Sequence, residues 1–137
     1  MKRAVLPVFL ALQALLYLWN LKLLSPWMDE AATLTMMRGS LASVVRNAAA
    51  DVHPPLFYTM LWSWLHVPLG LDPAVQARVL TVLLALAATV AADRLLASRL
   101  SPGARVWFLA LWCASPCLLL YARMCRSYSL QALATVV

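Results

Sequence analysis

The chain has 137 residues, 64% of them apolar and only 12% charged, with a net charge of +6. Its length fits one domain, but so apolar a composition lies outside the balance of soluble proteins and points to a bilayer. The basic residues are scattered between apolar blocks with no basic arm and no aromatic platform, which argues against a nucleic-acid partner and for charges that set membrane orientation.

Ala4 to Leu24 is the first apolar block and matches the roughly 20 residues a helix needs to cross the hydrocarbon core. Lys2 and Arg3 precede it, yet the run exceeds the roughly 7 to 15 residues of a signal-peptide core and no A-x-A site follows. It reads as an uncleaved span with a cytoplasmic N-terminus. The stretch SPWMDEAAT, residues 25–33, therefore emerges on the extracytoplasmic side, which in a bacterium is the periplasm. Beyond it Leu34, Met37, Leu41, Val44 and Ala48 recur at spacings of three and four, predicting an amphipathic surface helix over residues 30–49, interrupted near Gly39 and Ser40.

DVHPPL follows at residues 51–56, and its prolines suit a first helical turn, so the next helix is expected over residues 54–70. Residues 79–96 form a clear span. Arg94, Arg99 and Arg105 around the turn SPG belong in the cytoplasm, residues 106–121 form another span, and residues 129–137 begin a further one. Parity then keeps residues 25–78 outside and makes 54–70 a juxtamembrane or re-entrant helix with its tryptophans at headgroup level. The expected fold class is an all-α integral membrane protein, with spans over 4–24, 79–96 and 106–121 and extracytoplasmic juxtamembrane helices over 30–49 and 54–70.

This topology gathers Asp29, Glu30, Asp51, His53, Arg78, Arg123 and Arg126 on one face of the membrane, where guanidiniums suit a phosphate-bearing lipid head group. Plainer roles exist for several of them. Asp29 is also a candidate helix cap, Arg78 a snorkelling anchor and Tyr128 a member of the aromatic belt. His66, on a tryptophan-rich helix, suits packing better than catalysis. Cys113, Cys117 and Cys125 are odd in number and indicate no disulfide framework.

A first span ending in W-x-D-E, an amphipathic helix, D-x-H-P-P-L, an arginine ahead of the next long span and R-x-Y-S-L after the one beyond resemble the N-terminal part of the GT-C-fold glycosyltransferases that use lipid-phosphate sugars. That group includes protein O-mannosyltransferases and the bacterial aminoarabinose transferases of lipid A. The likeness runs from Leu21 to Leu130 and implies GT-C-like transmembrane helices. It further implies transfer of a sugar from a polyprenyl-phosphate donor, usually with inversion, to a hydroxyl of a protein, lipid or glycan acceptor at the periplasmic face of a bacterial inner membrane. On this resemblance Asp29 matches the catalytic aspartate that takes the acceptor proton, and Glu30 its orienting neighbour. Arg126 is the first choice for the donor phosphate, with Arg123, Arg78 and Tyr128 behind it. Asp51 and His53 match a polar pair that in some members touches a divalent metal or the acceptor. No cofactor is otherwise expected.

Two departures stand beside the likeness. Met124 occupies a place where many relatives carry an acid or amide, and the sequence stops within an apolar run, so it is expected to be the N-terminal fragment of a longer enzyme or a truncated reading frame, inactive alone. Two other classes fit the same charges: a small membrane assembly subunit, or part of a transporter for lipid-linked or anionic substrates. A transporter should show interrupted spans in repeated halves, and no internal repeat is visible.

Overall fold

The computed structural model describes residues 5–23, 25–51 and 54–137, and what it describes is helices joined by short turns. Helix α1 covers Val5–Leu18 and is continued by a 3-10 turn at Leu21–Leu23. Between them Asn20 adopts φ 54°, a left-handed conformation that asparagine tolerates through local hydrogen bonding. Together Val5–Leu23 make a 19-residue apolar rod long enough to cross a membrane.

The amphipathic stretch is two helices, α2 at Met28–Met36 and α3 at Leu41–Ala50. The break falls at Gly39 and Ser40 as the sequence predicts, because Ser40 Oγ accepts the Ser43 N–H at 3.3 Å and starts a new helix. A Cβ on Gly39 would lie 2.4 Å from Ser43 Oγ, so this turn favours the residue without one. The cap of α2 is Trp27, not Asp29, which sits inside the first turn; Glu30 Oε2 closes that turn by accepting the Trp27 N–H at 3.1 Å.

Helix α4, Pro55–Leu65, starts where the prolines predict but stops well before Gly70. At about 1.5 Å per residue it is roughly 16 Å long, about half of a ~30 Å hydrocarbon core, so it does not cross as one helix. Its Phe57, Tyr58 and Leu61 are buried against Val44 and Ala48 of α3 and against Ala77, Leu80 and Leu84 of the next helix.

Helix α5, Pro73–Leu96, begins earlier than residue 79 because Asp72 caps it, Oδ1 accepting the N–H groups of Ala74 and Val75 at 2.9 and 3.3 Å. Pro73 fills the position where a missing N–H costs nothing. This helix is the centre of the molecule, packed by α1, by α4 and by the three helices that follow. Its buried Ala77, Ala85, Ala88 and Ala92 let neighbours approach closely. The predicted span 106–121 is instead a pair, α6 at Pro102–Cys113 and α7 at Pro116–Ala122, bent by 49°. Pro116 has no N–H to continue α6, and Ser115 caps the new start. Helix α8 follows at Tyr128–Val136. Among the described residues two helices are long and apolar enough to cross a membrane, or three if the bent pair is one span, and no strand is present.

Polar contacts stitch the apolar bundle. Gln13 Oε1 of α1 lies 2.8 Å from Thr89 Oγ1 of α5, which in turn accepts the Trp112 Nε1–H of α6 at 2.9 Å. At the α5–α6 turn Arg105 forks onto Asp93, Nε to Oδ1 at 2.6 Å and NH2 to Oδ2 at 2.7 Å, so this arginine, expected from the sequence as a loop charge, is an internal staple. Removing the guanidinium would leave the nearly buried Asp93 carboxylate unpaired. Arg105→Ala is therefore expected to destabilise the protein by about 3 kcal/mol, read as a lower unfolding midpoint in detergent, with Arg105→Lys losing less.

Candidate functional site

The site is assembled where the first turn of α2, the N-terminal turns of α5 and the α7–α8 connection, residues 123–127, come together. Its buried half is an ion pair. Arg78 presents a two-pronged fork to Glu30, Nε to Oε1 at 3.0 Å and NH2 to Oε2 at 2.9 Å, and both side chains are 2% exposed. Glu30 Oε1 also accepts the Cys125 N–H at 2.7 Å, in addition to the Trp27 N–H on Oε2. Arg78 NH1 donates to the Leu21 carbonyl at 2.9 Å. Burial alone would raise the Glu30 pKa, but the Arg78 fork and the two backbone donors overcome it, so the carboxyl is held below its ordinary value. Glu30 is thus an anion with its lone pairs occupied. Arg78, expected at a lipid phosphate, is turned inward onto protein groups.

The open half of the site lies beside it. Asp29, whose side chain is 64% exposed, has Oδ2 3.9 Å from Arg126 NH2, and Arg126 is 13% exposed. Arg126 NH1 also donates to Thr33 Oγ1 at 3.3 Å, and that hydroxyl donates to the Asp29 carbonyl at 2.9 Å. A carboxylate and a guanidinium from segments almost a hundred residues apart therefore share one rim.

Tyr58 of α4 belongs to this neighbourhood, and sequence reasoning passed it over. It is buried, and burial raises its phenol pKa; the charges that act on it are Arg126, which lowers it, and Asp51, Cys125 and Asp29, which raise it. The signal was available only as an aromatic residue one turn after Pro54 and Pro55, which is indistinguishable from core packing.

Arg123 faces another way. Its NH2 donates to the Trp19 carbonyl at the end of α1, and its buried Nε has no partner. It lines a cavity of about 210 Å³ together with Trp27, Glu30, Arg78, Leu119 and Leu120, so the α6–α7 bend gives this hollow an apolar wall and one spare donor. Tyr128 packs against Tyr121 with ring centroids 4.5 Å apart and the rings tilted by 47°, and lines a separate small cavity with Gln13 and Trp112. His66 is exposed, its ring 3.8 Å from that of Trp62 and its Nδ1 2.7 Å from the Trp62 carbonyl.

Asp51 caps the end of α3, while His53, its companion in the sequence reading, lies outside the described residues. Among the described residues no three His, Cys, Asp or Glu side chains converge as a metal cluster, and Asp29 has a guanidinium as its neighbour. Cys113, Cys117 and Cys125 are free thiols. Burial, with the nearby Glu30 charge adding to it, pushes the Cys125 thiol up to about 12, so this sulfur is unreactive at neutral pH. No family model, no curated protein and no solved structure matches the chain.

Proposed function

We propose that this chain belongs to a membrane glycosyltransferase that moves a sugar from a polyprenyl-phosphate donor to an acceptor hydroxyl on the extracytoplasmic face. The observation that carries the reading is the pairing of an exposed carboxylate, Asp29, with a guanidinium, Arg126. Transfer of this kind needs a base for the acceptor proton and donors for the charge that grows on the departing phosphate. Asp29 is the base, since Glu30 has its oxygens filled by Arg78, Cys125 and Trp27. Arg126 is the phosphate partner, because a planar fork matches phosphate oxygens. Its hold on Asp29, at 3.9 Å, is loose enough for a phosphate to replace. The hollow beside Arg123, walled by Leu119 and Leu120, suits the first apolar units of the lipid.

The test is binding of undecaprenyl phosphate to the purified protein in nanodiscs. Arg126→Ala is expected to weaken it about 10- to 100-fold, the equivalent of losing one hydrogen bond to a charged group. Arg126→Lys should fall between, keeping charge but not the fork. Arg99→Ala, an exposed arginine beyond the far end of α5, serves as the control. Equal losses in Arg126→Ala and Arg99→Ala would reduce the effect to general electrostatics and remove the phosphate assignment.

A further inference from the structure

We propose that Glu30 and Arg78 form a positioning clasp that keeps the connection 123–127 in register with the first turn of α2, and so sets the spacing of Arg126 from Asp29. The inference rests on the glycosyltransferase reading above.

Glu30 is the residue after Asp29, and Cys125 is the residue before Arg126. One carboxylate therefore grips peptide units adjacent to both side chains of the open rim, its own in α2 and the Cys125 N–H in the connection. Its other partners, Arg78 from α5 and the Trp27 N–H, complete four hydrogen bonds, which fill the roughly four lone-pair sites of a carboxylate. Arg78 is anchored in turn by the Leu21 carbonyl, so the end of the first span is tied into the same knot. Although both edge the hollow beside Arg123, they are 2% exposed and the Glu30 oxygens are taken up within the protein, so the pair acts through the residues it holds.

Stability alone is a weak reason to bury such a pair, because well-packed apolar side chains of similar volume often do as well or better. Apolar substitutes, however, offer nothing to the Cys125 N–H. Adjacent residues on a helix point about 100° apart, so fixing Glu30 inward turns Asp29 outward, toward the side on which Arg126 lies. The neighbouring Thr81 Oγ1, 2.7 Å from the Ala122 carbonyl, steadies the start of the connection from α5 but reaches neither rim residue.

The experiment uses two readouts, one of which needs no ligand. In a background with the native cysteines replaced, Asp29→Cys and Arg126→Cys are paired and their disulfide formation is timed under mild oxidation. Separately, undecaprenyl phosphate binding is measured in the otherwise native protein. Glu30→Gln is expected to slow the disulfide about tenfold and to weaken binding about tenfold, while Arg105→Ala, which breaks a buried pair at the other end of α5, moves neither. Should Glu30→Gln fail to fold, Arg78→Lys, which keeps the charge but not the fork, carries the same test. Disulfide formation at the wild-type rate in the clasp variant overturns the proposal, and so does an equal loss in Arg105→Ala. If the wild type binds no undecaprenyl phosphate, the glycosyltransferase reading falls by itself and the disulfide rate alone decides the clasp.

Discussion

Asp29→Asn is expected to lower glycosyl transfer by about 100-fold or more while leaving the protein folded, the scale on which a general base contributes. Asparagine keeps the size of the side chain and its place in the first turn of α2, where the capping contact comes from Glu30 and not from Asp29. The substitution therefore removes proton uptake with little structural cost. It also removes the charge that holds Arg126 at 3.9 Å, so binding of undecaprenyl phosphate should be unchanged or tighter. The measurement is turnover with a polyprenyl-phosphate-linked sugar beside lipid-phosphate affinity. Near-normal turnover in a folded Asp29→Asn protein would leave Asp29 as a surface carboxylate and end its role as base.

Arg78→Ala is expected to cost about 3–5 kcal/mol of stability, because it strands the Glu30 carboxylate in a site with almost no access to water. Glu30→Leu with Arg78→Met should recover much of that loss, since neither charge is then left alone. The pair also fixes a pH dependence. Glu30 has a folded pKa below its ordinary 4.5, so its contribution is fully present above that value and is lost as pH falls from there through the lowered folded pKa. Unfolding midpoints in detergent should therefore drop on acidification below about 4.5, and the drop should be smaller in the doubly apolar variant. A wild-type midpoint that stays flat through that range, or an Arg78→Ala protein as stable as wild type, would mean the pair is not holding the fold.

The sequence by itself determined the helices long and apolar enough to cross a membrane and most of the helix starts, because those depend on local chemistry. Apolar length marks Val5–Leu23 and the central α5 as long enough to span, the Pro54–Pro55 pair opens α4, and Ser40 marks the break between α2 and α3. Sequence also singled out Asp29 and Arg126. What it left open was which charges face each other, since 97 positions separate those two and no local rule measures that distance. Only the tertiary structure decided that Arg78 turns inward to Glu30, that Arg123 turns toward Trp19 and an apolar hollow, and that Arg126 alone of the three shares a rim with Asp29. For Arg78 the physical reason is desolvation: a guanidinium drawn into the bundle is stabilised where acceptors meet its donors. Where α2, α5 and the α7–α8 connection meet, the carboxylate of Glu30 and the carbonyl of Leu21 are the acceptors within reach.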